Sequence, residues 1–115
     1  MRKLKDASGN SSAKPALLLE CKRIVRALVP DAEVLLYGSR ARGTADAASD
    51  HDILVLSEAP LSTADEDRVR DALYDLELEH GVVISLLFYA REEWDDPLHR
   101  LMPLHQQVEL EGILL

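Results

Sequence analysis

Two short segments of the chain hold residue types whose spacing suits chemistry on a phosphate. Gly38-Ser39 comes directly after the apolar run Val34-Leu35-Leu36-Tyr37, and Ser39-Arg40-Ala41-Arg42 can begin a helical turn. A glycine at such a junction lets the backbone approach a phosphate closely. Ser39 adds a hydroxyl donor, and the N–H groups of a helix start favour an anion. These are the parts of a triphosphate cradle, though not of a P-loop, because the Lys-Ser/Thr pair of that motif is missing. Asp50 and Asp52 form the second segment, one residue apart at the start of another apolar run. In a strand, residues i and i+2 share a face, so the two carboxylates converge. Carboxylates held together repel unless a cation sits between them. Mg²⁺ suits the pair, since it takes few carboxylates and completes its shell with water and phosphate oxygens. His51 points the other way, to a packing or surface position.

The elements that must position these residues are legible as patterns. Pro15 suits a first helical turn, and Leu17, Leu18, Cys21, Ile24, Val25 and Leu28 mark one helical face until Pro30-Asp31 ends it. Residues 33–37 and 52–56 are short buried strands. Thr63 and Glu66 form a T-x-x-E capping box for the next helix. Val69, Leu73 and Leu76 give that helix its buried stripe, and His80-Gly81 closes it. Residues 82–89 are the most strand-like stretch of the chain, and a further helix is expected over residues 104–110. The order is helix, strand, short turn or helix, strand, helix, strand, helix. It predicts an α+β fold of α/β type, a small mixed β-sheet covered by helices. Residues 6–14 are small and polar, so residues 1–14 are read as a flexible leader and residues 15–115 as a single domain.

Composition narrows the class. A chain of 115 residues, 47% apolar and 30% charged, matches a water-soluble protein with one modest core. No run approaches the roughly 18 apolar residues of a membrane span. The first residues lack the apolar stretch of a secretory signal, and Cys21, the one cysteine, has no internal disulfide partner. A cytoplasmic location without a membrane partner is therefore expected. The net charge of −8 is uneven: Arg2, Lys3, Lys5 and Lys14 against Asp6 make residues 1–14 net +3, leaving −11 for the rest. Such an acidic body repels a phosphate backbone and disfavours generic nucleic-acid binding.

Gly38-Ser39, ten intervening residues and Asp50-His51-Asp52 together resemble the G-S-x₁₀-D-x-D signature of the DNA polymerase β-like nucleotidyltransferase superfamily. The fuller string, Gly38 to Thr44 with Ser49 to Asp52, is similar to the minimal nucleotidyltransferases of bacteria and archaea. Many of those are encoded beside a HEPN-domain partner as antitoxins of toxin–antitoxin pairs. The likeness extends more weakly over residues 15–115, including the tail from Glu92-Glu93-Trp94 to Glu111-Gly112-Ile113-Leu114-Leu115. It implies a polymerase β-like core and transfer of a nucleoside monophosphate, AMP from ATP by preference, to an acceptor hydroxyl. Asp50 and Asp52 would be catalytic and hold Mg²⁺, Gly38 and Ser39 would anchor the β- and γ-phosphates, and Arg42 and Arg40 would steady the triphosphate. The NTP and a HEPN-type protein are the implied partners, and an oligomer is compatible with them.

The resemblance also implies a third carboxylate on the next strand, but residues 82–89 contain none and Ser85 stands in its place. Serine is a poor Mg²⁺ ligand and a feeble base, so slow transfer is expected. Glu92 and Glu93 lie beyond the strand and could serve only through a bend. A second function follows: a binding module that neutralises a HEPN-type toxin by occlusion. A small-molecule modifier fits less well, because 115 residues leave little room for an acceptor site. Elsewhere Glu77, Glu79 and His80 read as a polar helix end. His99 and His105 read as surface or interface positions, and Trp94 as a packing anchor or part of a partner surface with Leu98, Leu101 and Met102.

Overall fold

The computed structural model describes residues 1–4, 14–43 and 50–115. Three strands form its centre: β2 (Glu33–Tyr37), β3 (His51–Ser57) and β4 (Ile84–Ala90). Two marginal strands, β1 (Arg2–Lys3) and β5 (Ile113–Leu114), extend the sheet to the order β1-β5-β2-β3-β4. β2 runs antiparallel to β3 and β5, whereas β3 with β4 and β1 with β5 are parallel. The expected α+β fold with a small mixed sheet is the fold observed.

Alternation along the strands sorts the core into two layers. Val34, Leu36, Ile53 and Val55 face the helices α1 (Pro15–Leu28) and α3 (Thr63–His80), meeting Leu17, Leu18, Cys21, Val25, Val69, Leu73 and Leu76. Leu35, Leu54 and Leu56 face the other way, against Trp94 of α4 (Arg91–Trp94) and Val108 of α6 (Pro103–Glu111). Between those helices lies the single turn α5 (Pro97–Arg100), and α2 (Gly38–Arg42) follows β2 without a loop. A strand covered on both faces reads as a continuous apolar run, which is why residues 52–56 are conspicuous in the sequence. α3 also makes the crossover that two neighbouring parallel strands require.

Several sequence readings are corrected. The N-cap of α3 is Ser62, whose side-chain oxygen accepts from the backbone N–H of Asp65, and Thr63 is already helical. The spacing of hydroxyl and acid residues is the same one position earlier, and only the backbone dihedrals separate the two. Arg2 and Lys3 do not belong to a flexible leader. They pair with Ile113 and Leu114, and the Met1 ammonium donates to the carbonyl of Glu109 at 2.7 Å. The remainder of that leader, residues 5–13, falls outside the described residues. His105 is buried rather than on the surface: its ring stacks on Trp94 at 4.6 Å, within a cluster that includes Tyr89 and His99. Trp94 is indeed a packing anchor, while Leu98, Leu101 and Met102 remain exposed. No helix among the described residues is long and apolar enough to cross a membrane.

The corrected cap makes a direct prediction. Ser62→Ala leaves an N–H of the first turn without its acceptor and lowers stability by about 1 kcal/mol, whereas Thr63→Ala changes it by less than about 0.5 kcal/mol. Urea denaturation of the two variants measures the difference.

Candidate active site

Strand direction brings the two motif segments together. β2 ends where antiparallel β3 begins, with Tyr37 opposite Asp52, so Gly38-Ser39 and Asp50-His51-Asp52 meet at one end of the sheet. β4, parallel to β3, places Ser85 opposite Asp52. The parts in between, residues 44–49 with Thr44 and Ser49 of the motif, lie outside the described residues.

Gly38 meets Asp52 more closely than any other residue type could. It has φ +76°, and a Cβ built on it would lie 2.3 Å from Oδ2 of Asp52. The glycine is therefore required twice, by backbone conformation and by the carboxylate against it. Asp52 is half-buried and Asp50 exposed. Burial, and then the like charge of Asp50, raise the pKa of Asp52, while Arg42 pulls it down to a smaller extent. Burial and the like charge outweigh what Arg42 supplies, so the ionised form is disfavoured in the ligand-free protein. Burial first, and then the charge on Asp52, push the Tyr37 phenol up to about 12. The pair suits a divalent cation that brings its own water shell. It does not make a complete protein cage, because no cluster of three or more His, Cys, Asp or Glu side chains that could hold a metal occurs among the described residues.

The remaining candidates divide. Ser39 is half-buried on the first turn of α2. Arg40 is buried, 6% exposed, and its charge bears on His51, so it is not poised in open solvent. Arg42 is exposed, and its Nη1 donates to Oε2 of Glu111 at 2.9 Å. Ser85, where the family likeness leads one to expect a third carboxylate, is exposed and pairs opposite Asp52. Glu92 and Glu93 cannot replace it. They follow Ala90, which pairs with Ser57 at the opposite end of β3, roughly 17 Å from Ser85 along the strand. Glu93 is in addition committed to the N-terminus of α4, accepting from the backbone N–H of Ala90 at 3.1 Å.

His51 is the packing residue the alternation implies, but an expensive one. It is fully buried, and neither ring nitrogen makes a well-formed hydrogen bond among the described residues, with only the Val83 backbone near enough to favour its protonated form. Burial first, and the charge of Arg40 second, lower its pKa to about 4. Glu111 and Arg2 were not singled out in the sequence. Arg2 Nη2 donates to the carbonyl of Ala41 in α2 at 2.8 Å. The only signal available for Glu111 was its place in the tail motif that accompanies the family likeness.

Comparison with known proteins agrees with this fold. A family model described as nucleotidyltransferase domain matches residues 18–111. Probable protein adenylyltransferase MntA from Haemophilus influenzae is 40% identical over 88 residues, 76% of this chain and 77% of that protein. Among solved structures, a protein designated a minimal nucleotidyltransferase superposes with a TM-score of 0.57 at 27% identity, covering 88% of this chain and 94% of its own. A mutant of the toxin–antitoxin pair MntA–HpeT shares the fold, with a TM-score of 0.59 at 20% identity over 84% of this chain and 69% of that one.

Two outcomes follow from the packing. Gly38→Ala forces its methyl into the Asp52 carboxylate at a backbone angle that disfavours it, lowering stability by more than about 1 kcal/mol in chemical denaturation. A loss below that would remove the close approach. For His51, the unfolded chain takes up a proton below pH 6.5 that the folded chain refuses until about pH 4. Stability therefore falls as pH drops through that window, by about 1 kcal/mol between pH 7 and 5.5. His51→Leu flattens this part of the stability–pH curve.

Proposed function

We propose that this chain, which belongs to the nucleotidyltransferase domain family, transfers AMP from ATP to a hydroxyl of a partner protein, with Asp50 and Asp52 holding Mg²⁺. The observation that carries this reading is the contact of Gly38 with Asp52. It makes one surface of a glycine-serine turn that can accept phosphate and a carboxylate whose charge burial disfavours. A protein acceptor is suggested by the relative MntA, named for protein adenylyltransfer. A HEPN-type neighbour is the acceptor to test first.

Gly38 and Ser39 anchor the β- and γ-phosphates through the approachable backbone and the Ser39 hydroxyl. Arg42 faces the triphosphate with the donors that Glu111 leaves open, and Arg40 supports it from a buried position. Mg²⁺, when bound, neutralises phosphate charge and favours both the attacking and the leaving oxygen. Asp50 and Asp52 would hold that cation, and through it the α-phosphate, against the acceptor. The acceptor oxygen forms its bond to that phosphorus as the bond to the bridging oxygen breaks, and pyrophosphate departs. With Ser85 where a carboxylate would serve as base, the acceptor proton passes to water and turnover is slow.

The Ser85 position also favours a second reading, a binding module that occludes a toxin with little catalysis. Incubation with α-labelled ATP, Mg²⁺ and the protein encoded beside this one separates the two. Label on the neighbour, lost in the Asp50→Asn/Asp52→Asn variant, is the expected result. Tight complex formation without label would sink the transfer reading. Ser85→Asp, which restores a carboxylate beside Asp52, raises the labelling rate about tenfold or more.

A further inference from the structure

The tail Glu111-Gly112-Ile113-Leu114-Leu115 contributes no group that would touch the nucleotide, yet the fold returns it to α2. β5 pairs with β2 at Leu36 and Ile113, two residues before Gly38. Glu111, the last residue of α6, consequently stands beside α2, where its carboxylate holds Arg42 at 2.9 Å. Gly112 makes this path possible: a Cβ there would lie 2.4 Å from the carbonyl oxygen of Val108. From β1, Arg2 ties the Ala41 carbonyl of the same helix at 2.8 Å. Two distant parts of the chain thus grip the end of α2.

The grip on Arg42 is partial. The side chains of Arg42 and Glu111 are 36% and 31% exposed, so the guanidinium is oriented without being enclosed. Arg42 lies one helical turn beyond Gly38 on α2. A guanidinium carries five donors in a planar fork, and one edge on a carboxylate leaves others for phosphate oxygens.

Building on the nucleotide-site reading, we propose that Glu111 is a positioning residue for the NTP, holding the Arg42 guanidinium beside the Gly38–Asp52 contact so that its remaining donors meet the triphosphate. Glu111 touches no nucleotide and acts only through Arg42. An arginine ordered beforehand loses less rotamer freedom on binding, and affinity is the quantity that gains.

A double-mutant cycle tests this on the full chain. A fluorescent ATP analogue is titrated with Mg²⁺ present into wild type, Glu111→Ala, Arg42→Ala and the double variant, well below the lowest melting midpoint of the set. Glu111→Ala weakens binding about three- to tenfold, and the double variant binds no more weakly than Arg42→Ala alone. Glu111→Gln, which keeps an acceptor for Arg42, recovers part of the loss. In turnover, KM rises by the same factor while kcat stays within about twofold. Wild-type affinity in Glu111→Ala, alongside weakened Arg42→Ala, overturns the role, and so do additive losses. If the wild type itself binds no ATP, the nucleotide-site reading fails and the Glu111 role with it.

Discussion

The candidate site depends on one close approach, the carboxylate of Asp52 lying where a side chain at Gly38 would begin. Antiparallel pairing of β2 with β3 aligns the two strands, and the left-handed conformation of Gly38 turns the chain into α2 at that point. Any larger residue would push the turn from the carboxylate and separate the Gly38-Ser39 backbone from the acidic pair. The arrangement carries a cost in the ligand-free protein. Asp52 is half-buried beside a like charge, and His51 is sealed in the core without a well-formed hydrogen bond among the described residues. The two-sided apolar core offsets this strain and keeps it in place.

The same rigidity defines what the site lacks. β4 is locked in register with β3 over seven residue pairs, so Ser85 is fixed opposite Asp52. Glu92 and Glu93 are fixed at the other end, one of them as a helix cap. A slide of β4 that brought an acid to the site would expose the buried residues of the strand. Within a nucleotidyltransferase domain, this chain therefore sets two carboxylates and a serine side by side at one end of the sheet. The exposed side chains of Leu98, Leu101 and Met102 belong to the α5–α6 side.

Much of this was legible in the residues alone, and the reason is locality. Strands β2, β3 and β4 are apolar runs bounded by breakers, helices α1 and α3 show stripes of helical period, and Gly38-Ser39 and Asp50-His51-Asp52 lie within fifteen residues of each other. Each of these signals arises between near neighbours in the chain, where backbone geometry alone decides which side chains share a face. The sequence by itself therefore determined the α+β class, the two halves of the candidate site and the missing acid in residues 82–89. Only the tertiary structure decided that Asp52 fills the space above Gly38, that Arg2 and Lys3 join the sheet through β5, and that His105 stacks on Trp94. It alone placed Glu111 on Arg42, 69 residues away. Those contacts follow from strand order and helix packing, which sum small energies over the whole chain and leave no periodic mark in any one segment.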